Sequence, residues 1–257
     1  MELGLYDRRV LVTGGSRGVG RGIVLALLDE GAFVSTCARN KESLDQLISD
    51  AGENSDRLFT VQADALDPTA MGAFVREATD QFGGVDGLVV NAGAGNIGGV
   101  LDSSWEDFED QFQMKVGTAL AVVRPAIEPL RQSTSPSIVI INGITAYSPD
   151  SEMAAVSVSR AALSSLATLL ATDLVDQGIR VNQVNLGPIV TDRQRERHAL
   201  NGSDLAFEEW VEEEGRRRGV PLGRMGTVDE VVPWILLALS PRSSFTTKAR
   251  IDVSGGL

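Results

Sequence analysis

The strongest constraint in this chain is a series of short apolar runs without polar alternation, such as Val10-Leu11-Val12 and Leu88-Val89-Val90. A strand with one wet face alternates; a strand covered on both faces does not. Segments of helical length separate the runs, so strand and helix alternate from end to end. The predicted strands are Arg9–Thr13, Phe33–Ala38, Leu58–Gln62, Gly87–Asn91, Ser137–Asn142, Arg180–Asn185 and Ala249–Val253. The predicted helices are Val19–Glu30, Lys41–Asp50, Pro68–Phe82, a long stretch from about Ser104 to Leu130, Glu152–Gln177 and Thr227–Leu239. The pattern predicts an α/β fold. It is one doubly wound, parallel, seven-stranded sheet with helices on both faces, a single domain over residues 1–257.

Composition narrows the function. A hydrophobic fraction of 43% supplies a core for a domain of 257 residues. No apolar run reaches the roughly 18 residues that suggest a membrane span. Met1 to Arg9 lacks the basic-then-apolar layout of a signal peptide. The net charge of −12 argues against nucleic acid or an anionic membrane as partner, and mildly favours a cationic ligand. The single cysteine, Cys37, falls in a predicted strand. It is expected to be buried as a small hydrophobe, which fits a reduced, cytoplasmic setting. One histidine and no cysteine pair predict no metal site. Ser151 and Ser157 have no recognisable His-Asp partnership, so a hydrolase triad is not expected.

Between the first strand and the first helix lies Thr13-Gly14-Gly15-Ser16-Arg17-Gly18-Val19-Gly20. Glycine lets the backbone turn tightly and approach a pyrophosphate, and the helix N-terminus offers free N–H groups to the anion. A Rossmann-type dinucleotide site is therefore expected, with Gly14, Ser16, Arg17, Gly18, Val19 and Gly20 in contact with the cofactor. The end of the second strand indicates which cofactor. NAD sites place an acid there to hold the ribose hydroxyls. Here the end reads Cys37-Ala38-Arg39-Asn40. Arg39, with Arg17 from the glycine loop, can pair with a 2′-phosphate, because guanidinium donors form a fixed fork. The expected cofactor is NADP(H).

With these residues in place, the sequence resembles the short-chain dehydrogenase/reductase family over nearly its whole length. The glycine loop matches the family's Thr-Gly-x-x-x-Gly-x-Gly. Asp64 and Ala65 match its adenine-binding element, and Asn91-Ala92-Gly93 its Asn-Ala-Gly. Asn185-Leu186-Gly187-Pro188-Ile189-Val190-Thr191 is similar to the stretch that contacts nicotinamide, with leucine replacing the first proline. Gly187, Pro188, Ile189 and Thr191 are thereby implied as cofactor contacts. Pro221-Leu222-Gly223-Arg224-Met225-Gly226 and the terminal Asp252-Val253-Ser254-Gly255-Gly256 are further family elements. The resemblance also implies a homodimer or homotetramer built on the helices at Ser104–Leu130 and Glu152–Gln177.

The resemblance breaks at the chemistry. The family's set is Asn, Ser, Tyr and Lys, with tyrosine and lysine one helical turn apart. Matched to it, Val156 stands for the tyrosine, Arg160 for the lysine, Gly143 for the serine and Lys115 for the asparagine. Valine has no proton to give, and arginine stays protonated but can still hold the ribose. Three readings follow for a small-molecule substrate. In the favoured one the acceptor is an imine, iminium ion or hemiaminal, which needs no proton at hydride transfer; Lys115 would oppose a cation there. In the second a ketone takes its proton from a relocated donor, with Tyr147 first and Asp150, Glu152 and His198 behind it. In the third the scaffold binds cofactor without redox work. Tyr147, Arg160 and Lys115 are the candidate catalytic residues. The charged segment 192–218, with Glu212-Glu213-Glu214 beside Arg216-Arg217-Arg218, follows a strand end and suits a substrate lid. Its charge runs read as solvated helix faces.

Overall fold

The structure, a computed structural model, describes residues 2–200, 202 and 204–257. Asn201 and Ser203 of the charged segment 192–218, and Met1, lie outside the described residues. Seven strands form one sheet: β1 (Arg9–Thr13), β2 (Phe33–Ala38), β3 (Leu58–Gln62), β4 (Gly87–Val90), β5 (Ser137–Gly143), β6 (Arg180–Leu186) and β7 (Arg250–Val253). All neighbours pair in parallel, in the order β3-β2-β1-β4-β5-β6-β7. The alternating design read from the apolar runs is the one observed.

Nine α-helices flank the sheet among the described residues: α1 (Gly18–Asp29), α2 (Lys41–Ala51), α3 (Pro68–Phe82), α4 (Trp105–Phe112), α5 (Thr118–Arg131), α6 (Ala154–Leu174), α7 (Asp192–Leu200), α8 (Phe207–Arg217) and α9 (Val228–Leu239). Side chains alternate across each strand, which explains the unbroken apolar runs. Val10, Val12, Val34, Val89, Val139 and Val184 face a core closed by α1, α2 and α9. Leu11, Leu88, Val90, Ile138 and Ile140 face a second core closed by α3, α5 and α6. Cys37 is buried in this second core, and burial pushes its thiol up to about 12. The apolar α6 has the length and hydropathy of a membrane span, yet half of that stretch is buried inside the molecule.

Two regions differ from expectation. The stretch from Ser104 to Leu130 is not one helix: α4 and α5 are joined by a π turn at Gln113–Gly117, which contains Lys115. A π turn adds a residue to the helical circuit and re-aims the side chains at that point. In the segment 192–218, α7 and α8 take up the charged sequence, but Glu214 is buried rather than solvated.

Candidate active site

Two cavities meet along the carboxyl ends of the strands. The first, about 520 Å³, runs from Arg39, Asn40 and Ser43 past the glycine loop to Met114 and Thr118. The second, about 570 Å³, continues from it across β5 and β6 and reaches under α7. Val19, Asn91, Ala92 and Gly93 line both. The sheet order reverses between β1 and β4, and crevices for ligands in open α/β sheets form at such a point.

The glycine loop is held from below. Thr13 Oγ1 accepts hydrogen bonds from the backbone N–H groups of Asn91 and Ala92 at 3.0 and 3.1 Å. The Asn91 amide donates to the carbonyls of Thr13 and Gly14. Asn91 thus uses its side chain to pin the loop. Any Cβ at Gly20 would strike Gly14 O and the Asn91 amide, which accounts for glycine there. The N-terminus of α1 carries no side-chain cap, a feature it shares with α5, α6 and α8, but among these it is the one that opens beside the glycine loop. Asn40, Asp67 and Ser104 cap α2, α3 and α4 with their side chains, whereas Arg17 makes no capping bond to α1, and its first turn holds no acid. Its free N–H groups are left for an anion in the first cavity.

The structure brings most of the expected contacts together. Gly14, Ser16, Arg17, Val19, Gly20, Arg39, Asp64 and Ala65 line the first cavity. Gly187, Pro188, Ile189 and Thr191 line the second. Gly18, with a positive φ of 52°, lies instead beside the Thr191 side chain. The turn after β6 is fixed by Gly187 N–H donating to Val253 O, and by the exchange Val190 N–H to Gly226 O and Gly226 N–H to Pro188 O. An uncapped helix start, a close-packed glycine cradle and two arginines at one end fit a phosphorylated dinucleotide.

Lys115 and Arg160 meet in the second cavity. Lys115 Nζ donates to Ala94 O at 2.7 Å. Burial pushes its pKa down to about 8, helped by the charges of Arg160 and Arg193. Arg160 donates from Nη1 to Thr145 Oγ1 at 2.9 Å, and burial and Arg193 lower its pKa too. A Cβ at Gly143 would lie 2.6 Å from Arg160 Cζ, so the guanidinium fills the place that a side chain there would take. Val156 is fully buried and packs beneath Gly95.

Tyr147 does not join them. It lies outside both cavities, and its phenol is under the influence of the Asp252 carboxylate, which accepts from the Asn185 amide. Partial desolvation and this carboxylate raise its pKa above the usual phenol value, which opposes proton transfer through a phenolate. His198 is a packing residue: its Nε2 meets Leu205 O, and its ring lies against Phe207 and Trp210. Asp150 does line the second cavity, where its carboxylate accepts from Glu152 N–H. Glu152 is not among the lining residues.

The sequence reading missed the residues that α7 and α8 bring to this cavity, Arg193, Gln194, Arg197 and Arg218. A signal was present, since Arg193 and Arg197 are one helical turn apart and share a face. Arg193 reaches the opposite wall, donating to Gly95 O at 3.1 Å. Glu214 ties the two helices together through Arg197 at 2.9 Å, Arg217 at 2.7 Å and Arg218 at 2.8 Å. Burial raises the Glu214 pKa, but hydrogen bonds from Arg217 and Arg218 and the charges of Arg218 and Arg197 outweigh it and bring it to about 2.

Fold and cleft define a protein that binds a dinucleotide over the switch point of a parallel sheet. Residues 14–257 match the family model described as enoyl-(acyl carrier protein) reductase. A short-chain oxidoreductase from Pseudomonas aeruginosa PAO1, described as containing an atypical catalytic center, has the same fold. Its apo structure superposes with a TM-score of 0.94 at 32% identity, covering 99% of this chain and 98% of that one. Its NADPH-bound structure gives 0.92 at 33% identity, covering 98% of each. L-xylulose reductase of Mesocricetus auratus is 31% identical over 259 residues, spanning 100% of this chain and 98% of its own. The chain belongs to the short-chain dehydrogenase/reductase family. It is an oxidoreductase of that type, and its cofactor is a nicotinamide dinucleotide.

The Glu214 cluster predicts a dependence on acid. Its folded pKa lies below the ordinary carboxyl value, so its contribution to stability is complete above about pH 4.5 and is lost as pH falls towards 2. Thermal unfolding of the native protein and Glu214→Gln across this range should show a steeper acid loss in the native protein. Parallel curves would contradict the cluster's role.

Proposed function

We propose that this protein is an NADPH-dependent reductase of a small carbonyl compound, with the Lys115 ammonium as proton donor. The observation that carries this reading is Lys115 itself. It lies in the second cavity beside Gly93, where the two cavities join, with a pKa brought down to about 8. A group with that value is still largely charged at neutral pH and gives up a proton far more readily than an ordinary lysine.

The residues that would hold the cofactor follow from the cleft. The N–H groups at the start of α1 take the pyrophosphate, Arg17 and Arg39 the 2′-phosphate, and Asp64 and Ala65 the adenine end. Gly187 to Thr191 flank the nicotinamide end, and Arg160 takes the ribose. When bound, the dinucleotide supplies the hydride. The substrate carbonyl oxygen then accepts a proton from Lys115 Nζ as its carbon gains the hydride, giving an alcohol. The lysine is left as a neutral amine and is recharged from solvent. Val156 takes no part in proton transfer; Arg160 and Lys115 divide the work of a site without a tyrosine in it.

The charge of the cavity weighs against the iminium reading. A cationic acceptor would enter beside Lys115, Arg160 and Arg193, each of which repels it. A relocated tyrosine is unsupported by the position of Tyr147. The relatives favour carbonyl chemistry too: one is named for the reduction of L-xylulose, another for dehydrogenation of L-rhamnose. Residues 192–218 serve in this reading as the lid over the second cavity.

Two measurements test the reading. In fluorescence titration NADPH should bind at least about tenfold tighter than NADH, the worth of one charge-assisted contact, and Arg39→Ala should remove most of the difference. Equal affinities before mutation would refute the phosphate assignment. For carbonyl reduction, kcat/KM should be level at lower pH and fall above about pH 8, because only protonated Lys115 can donate. Lys115→Met should lower kcat by about a hundredfold while NADPH still binds. A profile and a rate unchanged by that substitution would assign the proton to another group.

A further inference from the structure

The second cavity is a basic chamber in an acidic molecule. The chain carries a net charge of −12, yet Lys115, Arg160, Arg193, Arg197 and Arg218 all line this one space. Asp150 is the one carboxylate side chain among the lining residues. Arg197 and Arg218 are offset in part by Glu214, which also takes Arg217. Lys115, Arg160 and Arg193 have no ion pair among the described residues. Their hydrogen bonds go to neutral acceptors, Ala94 O, Thr145 Oγ1 and Gly95 O. A neutral oxygen satisfies a donor but does not cancel its charge. Gathering three like charges in a partly desolvated space is unfavourable, and a bound anion relieves it.

The cofactor does not account for this arrangement. Its phosphates have their own partners at the start of α1 and at Arg17 and Arg39. None of the five cations lines the first cavity. Arg160 has the ribose to hold, and Lys115 the reacting oxygen. Arg193 is left over. It projects from the first turn of α7 and crosses to the Gly95 wall, so it sits where the lid meets the opposite side.

We infer that the substrate is an anion, a carbonyl compound whose carboxylate or phosphate ester group docks on Arg193 with its carbonyl turned to Lys115. The inference rests on the reductase reading above and narrows its substrate class. A guanidinium presents parallel donors that match either anion, and Gln194 and Arg197 flank it on the same lid helix. An anion bridging Arg193 to the deeper cations would hold α7 down over the reacting groups, so binding and closure would be one event.

The test compares charged carbonyl compounds with neutral counterparts, following NADPH consumption. The carboxylate arm pairs 2-oxo and 3-oxo acids with their methyl esters. The phosphate arm pairs dihydroxyacetone phosphate with dihydroxyacetone, and L-xylulose serves as a further neutral compound. In at least one arm kcat/KM should favour the anion by about ten- to a hundredfold, the worth of a hydrogen-bonded ion contact. Arg193→Gln should shrink that ratio by about tenfold, and Arg193→Lys should restore part of it. As a readout apart from turnover, calorimetric titration of NADP⁺-saturated protein with the preferred anion should show binding that Arg193→Gln weakens. Equal use of charged and neutral partners in both arms, or a preference indifferent to Arg193→Gln, would overturn the inference and leave the reductase reading intact. Failure of the protein to bind NADPH at all would remove both.

Discussion

The reversal of strand order between β1 and β4 is the constraint on which the rest depends. From β1 the chain steps outward to β2 and β3, then returns to the other side of β1 and proceeds to β7. The loops leaving β1 and β4 therefore part in opposite directions and leave a crevice between them. The glycine loop forms one lip and Asn91-Ala92-Gly93 the other, fastened together by Thr13 and Asn91. The uncapped start of α1 opens onto this crevice, which leaves its backbone N–H groups free to meet an anion.

The reacting end is built from two compensating features. Glycine at 143 makes room for a guanidinium, and Arg160 fills that room and fixes itself on Thr145. The π turn before α5 places Lys115 in the same cavity, where burial and its cationic neighbours reduce its hold on the proton. Each feature makes sense beside the other. A side chain at 143 would displace Arg160, and without Arg160 the Lys115 proton would be held more tightly.

Much of the fold was legible because a fully covered parallel sheet leaves a plain mark, apolar runs without alternation. Strand limits agree within a residue or two, and most of the residues matched to the family motifs line the two cavities, because their places are set largely by backbone position. What was illegible depended on side-chain direction and distant partners. Tyr147 stands in the right loop, but its phenol turns to Asp252, a pairing across more than a hundred positions of sequence. Glu214 sits in a charge run that reads as solvated, until Arg197 from α7 closes over it. The π turn leaves no periodic signature, so Ser104 to Leu130 reads as one helix. Arg193 was readable only as part of a charged segment, although its spacing from Arg197 was available.

In the proposed reaction the second cavity brings hydride to a substrate carbon while Lys115 lies in reach of the reacting oxygen. A crystal structure of the NADP⁺ complex tests it most directly. An ordered nicotinamide ring is expected against the Gly187–Thr191 turn, with its ribose on Arg160 and the Lys115 ammonium facing the ring's exposed side across open space for substrate. A ring that is disordered, or excluded from the second cavity by Arg160 or Arg193, would contradict it.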